Sequence, residues 1–156
     1  MSKSTTLQIG LELIWWVVTA IIALIVLYPI ISKITDYPFL FTNLLFIIAF
    51  ITITRYIFLL KHTFLAYQQR LKVIIALLCI PFLFFLVQEI TNFQTFLDEQ
   101  GIEALVGNLS YANREEMGSY IRNEILLFGV GSAICTVLFF FRLIISVWRV
   151  RNRGTV

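Results

Sequence analysis

LELIWWVVTAIIALIVLYPII, residues 11–31, decides the architecture. Its one charge, Glu12, stands at its start, and the run is about as long as a helix needs to cross a hydrocarbon core of roughly 30 Å. Trp15 and Trp16 sit near its beginning, where indole rings favour a membrane interface. Pro29 lies near the far end, where a kink or stop is expected. The run is too long for the apolar core of a cleavable signal and no small-x-small site follows it, so it reads as a retained first span.

Three more runs of this kind follow, at about residues 39–60, 73–90 and 125–148. Together the four consume most of the 156 residues and leave no length for a separate soluble domain. A hydrophobic content of 60% and a mean hydropathy of +0.91 agree, because a soluble domain of this size keeps far more charge on its surface. The expected fold is all-α, a single membrane domain of four transmembrane helices in an up-down bundle. The turn of residues 32–38 is short enough to force the first two spans into a hairpin.

The charges are sorted by position. Cut at the apolar runs, one side collects Lys3, Arg55, Lys61, Arg70, Lys72, Arg142, Arg149, Arg151 and Arg153, joined only by Glu12. The other side holds Lys33, Arg114 and Arg122 against Asp36, Glu89, Asp98, Glu99, Glu103, Glu115, Glu116 and Glu124. The sums are +8 and −5, which recover the net +3. The positive-inside rule places the basic side, with both termini, in the cytoplasm, and places residues 91–122 outside as an acidic loop. The basic loop 61–72 and the tail 149–156 are the inner markers. The expected location is therefore the cell's inner or plasma membrane, as a multi-pass protein.

The basic balance does not indicate nucleic acid. The positive residues lie at the ends of spans, where anionic lipid headgroups are the default partner. Cys79 and Cys135 each lie inside an apolar run, outside any CxxC pair, and read as small packing residues. His62, the only histidine, follows Lys61 in the basic loop without other metal ligands nearby, so neither a zinc site nor any other cofactor is expected.

Local signals divide the polar segment. Ile102, Leu105 and Val106 mark the apolar side of a short helix between Gly101 and Gly107. Asn113 and Glu116 have capping-box spacing, which predicts a helix starting near Arg114 and running to about Arg149. Pro81 falls mid-span in the third run, where a bend is expected, or a hinge of the kind transporters use.

Four groups of residues are candidates for function. In the fourth span Glu124, Gly131, Cys135, Arg142 and Arg149 form a narrow stripe at about 100° per residue, read as the packed face. Gly131 and Cys135 at its centre, with the displaced pair Gly129 and Ala133, allow close helix approach. The opposite face, Leu126, Val130, Ala133, Val137, Phe140 and Ile144, suits lipid. Arg55 and Arg142 lie inside the membrane boundary on the basic side; an ion pair from Glu12 to one of them would clamp spans together, and two arginines at one depth also suit a lipid phosphate. Glu89, Arg122 and Glu124 form a possible polar cluster at the outer side.

Enzyme motifs are absent: there is no GxSxG, no HExxH and no phosphate-binding glycine loop. Thr52, Thr54, Ser132 and Thr136 lack a histidine or central acid nearby. The reading therefore leans away from catalysis and toward an accessory or assembly subunit of a larger membrane complex, with other membrane subunits as partners. The alternatives are a small oligomeric transporter or channel, and a lipid-handling protein or enzyme. Compartment reporters fused at Met1 and at Val156 are expected to give the same cytoplasmic signal; signals from opposite compartments would overturn the four-span reading.

Overall fold

A computed structural model describes residues 3–152, with backbone alone at 3–9, 62, 64, 67 and 112. The chain folds into helices α1 (Lys3–Lys33), α2 (Leu40–Leu59), α3 (Gln69–Gln100), α4 (Glu103–Val106) and α5 (Tyr111–Asn152). Two short 3₁₀ turns, Leu60–His62 and Phe64–Tyr67, join α2 to α3. There is no strand among the described residues. The end of the basic tail, including Arg153, and the side chains of Lys3 and His62 lie outside the described residues.

α1, α2, α3 and α5 are each long and apolar enough to cross a membrane. In their most apolar windows only 17–22% of residues are buried inside the bundle. The remainder present Leu24, Ile25, Tyr28, Phe41, Leu77, Phe84 and Leu127 outward, a surface that water would not tolerate and lipid would. These are the dimensions and the surface of a multi-pass membrane protein. Helix is the required backbone there, since each N–H must find its acceptor within the segment. That demand overrides the modest helix propensity of the many Ile, Val and Phe residues.

α5 packs chiefly on α2 and α3, and α1 chiefly on α2. One core runs from mid-bundle to the acidic end and includes Phe46, Ile47, Leu86, Phe93, Ile121 and Ile125, all fully buried. A second, at the basic end, gathers Leu60, Leu65, Ala76, Cys79, Phe139 and Leu143. α1 contributes Ala23, Leu27 and Ile30 at helical spacing and leaves most of its circumference uncovered. Its outer part is also held by Tyr120 of α5, whose hydroxyl donates to the Val26 carbonyl at 2.8 Å. That carbonyl is next to the Ile25 carbonyl, which Pro29 leaves without its usual N–H partner.

Several expectations need correction. The segment 91–122 is mostly helix. α3 continues to Gln100 and α5 begins at Tyr111, so the connection shrinks to residues 101–110, which include α4. Phe93, Met117 and Ile121 sit at helical spacing inside this acidic stretch and are buried, so its polar residues occupy one face of each helix. Phe39 meets Phe93 and Phe96 edge-to-face, at 5.1 and 5.0 Å between centroids, and α4 closes the end with Leu105 and Val106. α3 terminates at Gly101, whose positive φ of 74° and N–H bond to the Leu97 carbonyl make it a C-terminal cap.

The start of α5 also differs. It lies three residues before Arg114, and Asn113 donates its side-chain amide to Ser110 Oγ at 3.0 Å, while the Ser110 carbonyl accepts from the Asn113 and Arg114 N–H groups. Pro29 does not stop α1, which continues to Lys33, and α3 runs unbroken through Pro81, so no unwound segment forms there. Lys72 belongs to α3 rather than to the basic loop.

The packed face of α5 is rotated by roughly 80° from the expected stripe, at 100° per residue. Its buried residues are Met117, Gly118, Ile121, Glu124, Ile125, Gly129, Ser132, Thr136, Phe139 and Leu143. Ser132 and Thr136 donate their hydroxyls to the carbonyls of Gly129 (2.8 Å) and Ser132 (2.7 Å), so they pack like small apolar residues. On the expected lipid face Val130, Val137 and Ile144 are exposed, but Leu126, Ala133 and Phe140 are half-buried; the outward side includes Leu127, Ile134, Leu138 and Phe141 instead.

The glycines admit aromatic rings. A Cβ on Gly129 would stand 3.0 Å from the Phe46 ring and 3.1 Å from Ile90, and one on Gly131 only 2.8 Å from the Phe50 ring. Phe50 is itself held edge-on against Phe128 at 5.6 Å. Gly131→Leu is expected to push Phe50 off this seat and cost about 1–3 kcal/mol, the usual scale of overpacking. Thermal melting in detergent checks it, with the exposed-face change Ile134→Leu as a neutral reference.

Candidate functional site

The polar side chains that join helix to helix lie chiefly toward the two ends of the bundle. At the acidic end two neighbours on α2 hold two glutamates on different helices. Thr42 Oγ1 donates to Glu89 Oε2 of α3 at 2.8 Å, and Asn43 Nδ2 donates to Glu124 Oε2 of α5 at 2.5 Å. Asn92 Nδ2 donates a second bond to Glu89 Oε1 at 3.2 Å, and Asn92 Oδ1 accepts from Gln88 Nε2 at 3.0 Å. Glu89 and Glu124 are thus each tied to α2.

Asn43 and Glu124 are buried together with Tyr37, from the turn between α1 and α2. Burial pushes the Tyr37 phenol well above its ordinary range, and the nearby Glu124 charge pushes it further. The Tyr37 hydroxyl, Asn43 Oδ1 and Glu124 Oε1 are all buried without a hydrogen-bond partner. Leaving such atoms unpaired is costly in an apolar interior, which makes the one strong Asn43–Glu124 bond the element that holds this corner.

Arg122 does not join the cluster. It is exposed and lines an open polar groove of about 860 Å³ between α3 and α5, with Gln94, Asp98, Arg114 and Glu115. Arg114 caps the connection before α5 by donating Nη2 to the Gly107 carbonyl (2.6 Å) and Nε to that of Leu109 (2.8 Å).

At the basic end Arg55 Nη1 meets Glu12 Oε2 at 2.7 Å and joins α2 to α1. The two side chains are 8% and 17% exposed, so solvent screening of the pair is weak. The guanidinium also lies 5.4 Å from the Trp15 ring centre and 5.3 Å from that of Tyr56, whose hydroxyl donates to Glu12 Oε2 at 3.5 Å. Among the described residues this is the one ion pair. Arg142 is not part of it. It lines a separate cavity of about 180 Å³ beside Lys61, Lys72, Ser146 and Arg149.

Lys72 is 2% exposed, and its ammonium donates to the Ala66 carbonyl (2.8 Å), Ser146 Oγ (3.0 Å) and Gln69 Oε1 (3.4 Å). Of the small residues, Gly129 and Gly131 receive the α2 rings, and Cys135 Sγ lies 3.3 Å from Thr54 Oγ1 of α2. Ala133 is half-buried. Both cysteines are free thiols, and no His, Cys, Asp and Glu group suited to a metal occurs among the described residues.

Sequence reasoning passes over Thr42, Asn43 and Lys72. Asn43 carried a usable signal: an amide amid Leu, Phe and Ile is expensive unless it reaches a partner. Lys72 carried none, because a lysine at a span end ordinarily reaches water. The site and fold together define a small helical bundle of the membrane class, closed by polar clasps at both ends. Neither a family model, nor a curated protein, nor a solved structure matches this chain.

Glu12→Gln is expected to lower stability by about 2 kcal/mol, because it leaves the Arg55 charge half-buried and unpaired. Adding Arg55→Met removes the stranded charge and should restore part of the loss. Detergent melting curves of both variants check this, and a Glu12→Gln protein that melts like wild type would rule out the clamp.

Proposed function

We propose that this chain is a non-enzymatic accessory or assembly subunit of a larger membrane complex, an up-down four-helix bundle with both termini in the cytoplasm. The observation that carries the reading is where the polar groups go. Glu12 and Arg55 join α1 to α2, Thr42 and Glu89 join α2 to α3, Asn43 and Glu124 join α2 to α5, and Lys72 and Ser146 join α3 to α5. Each contact closes the bundle on itself. Between the two ends the rings of Phe46 and Phe50 fill the bundle against Gly129 and Gly131, and the buried Ser132 and Thr136 spend their hydroxyls on carbonyls of their own helix, which favours a packed scaffold over a substrate path through a single chain.

What the bundle offers its surroundings is its sides. Two apolar grooves of about 380 Å³ each lie on opposite helix pairs, one bordered by Leu24, Leu27 and Leu44 on α1 and α2, the other by Ala76, Leu77 and Ile144 on α3 and α5. A helix of a neighbouring subunit fits such a furrow by ridge-into-groove packing. The basic end, with Arg149 and Arg151 exposed, suits anionic lipid of the inner leaflet. One observation favours a lipid-handling reading as the second choice: the cavity shared by Arg142 and its basic neighbours.

Purification in mild detergent with quantitative mass spectrometry tests the first reading. A membrane protein in fixed stoichiometry is expected, and its recovery should fall several-fold with Leu24→Trp or Leu77→Trp while the melting of the chain itself stays unchanged. A protein recovered alone, or a partner indifferent to both groove changes, would defeat it.

A further inference from the structure

Four cations share one small cavity at the basic end, and no carboxylate shares it with them. Lys61 comes from the turn after α2, Lys72 from the first turns of α3, and Arg142 and Arg149 from the last third of α5, with Ser146 between them. Bringing like charges into so small a volume is unfavourable unless something of opposite sign is held there. The fold supplies no such group. Glu12, the only acid the sequence places at this end, is committed to Arg55. The Lys72 ammonium spends its three protons on neutral acceptors, and Arg142 makes no hydrogen bond or ion pair with any described residue.

We propose that this cavity binds a phosphate-bearing anion. The donors are arranged for one. Guanidinium groups present paired N–H donors that match two phosphate oxygens, and Arg142 and Arg149 stand two helical turns apart on one helix. Ser146 accepts its bond from Lys72, which leaves its own hydroxyl proton free to point into the cavity. Lys72 is buried beneath and sets the potential of the floor, while Lys61 stands exposed at the rim. A volume of about 180 Å³ is enough to seat a phosphate group, with the rest of its bearer outside the open mouth. Lys61 and Arg149 close spans, which is the depth of lipid phosphates, so the phosphate belongs to a lipid headgroup or to a free ion at that surface. The inference does not depend on the subunit reading, since the cavity is complete within one chain.

The test uses the full chain and has two arms. In the first, the protein is reconstituted in vesicles of mixed phosphatidylglycerol and phosphatidylcholine, and native mass spectrometry reads the lipid retained on release. In the second, inorganic phosphate is titrated into the lipid-free protein in a neutral detergent and the melting temperature is followed. Retention of one phosphatidylglycerol identifies a lipid phosphate, and a saturable rise in melting temperature identifies a free one. In whichever arm responds, Arg142→Gln is expected to weaken binding roughly tenfold, the scale of one charge-assisted bond. Arg70→Gln, which removes an exposed charge from the same end outside the cavity, should leave it unchanged. Should Arg142→Gln fail to fold, the exposed Arg149→Gln carries the same comparison. The proposal is overturned by no response in either arm, by equal retention of phosphatidylcholine, or by equal losses in the Arg70 and cavity variants.

Discussion

A polar side chain surrounded by hydrocarbon must find a partner; Thr19, Ser132 and Thr136 find theirs on their own helix, and the side chains that fasten the bundle find theirs on another. That constraint organises the bundle. Asn43 reaches Glu124, Thr42 reaches Glu89, Arg55 reaches Glu12 and Lys72 reaches Ser146. Apolar packing between helices has little to choose between lipid tails and protein side chains, so it fixes register weakly. A bond such as Asn43 to Glu124 fixes it sharply, because a slip of one residue would strand an amide and a carboxylate together. α2 is the hub of this arrangement, since three of these four contacts end on it.

The helices differ in how they are held. α5 lies against both α2 and α3, and its glycines let Phe46 and Phe50 sit against its backbone. α1 is peripheral, fastened near one end by the Glu12–Arg55 pair and farther along by the Tyr120 hydroxyl on the Val26 carbonyl. Between those points Ala23, Leu27 and Ile30 supply its buried edge. The acidic end is built on different principles. α3 and α5 are 32 and 42 residues long, roughly 48 and 63 Å at the helical rise, well beyond a hydrocarbon core. Their surplus length closes over an aromatic cluster of Tyr37, Phe39, Phe93 and Phe96, in the manner of a small soluble core.

The four long helices were legible in the sequence because hydropathy over about 20 residues is a coarse signal that lipid enforces. The ends were harder. Segment 91–122 reads as a loop by charge, yet Phe93, Met117 and Ile121 already mark its inward face at helical spacing. The packed face of α5 was misplaced because Gly131, Cys135 and Arg142 stand out in the sequence, whereas Ser132 and Thr136 conceal their polarity by bonding to carbonyls one turn back. Glu12 could be assigned two partners, Arg55 and Arg142, from their depth alone; only the positions of α2 and α5 relative to α1 distinguish them. Arg142, the residue left over, opens the cavity that no spacing rule reveals, because Lys61, Lys72 and Arg142 come from three separate elements.

The unbroken course of α5 has a mechanical corollary. Glu124 near one surface and Ser146 near the other stand on a single shaft, roughly 33 Å apart along its axis. A helix without a proline or an unwound turn resists torsion, so its two extremities cannot swivel independently. Whatever grips the Tyr111 end therefore shares a rigid axle with Arg142 and Arg149 on the far side, and the bilayer between them is bridged by one continuous spindle.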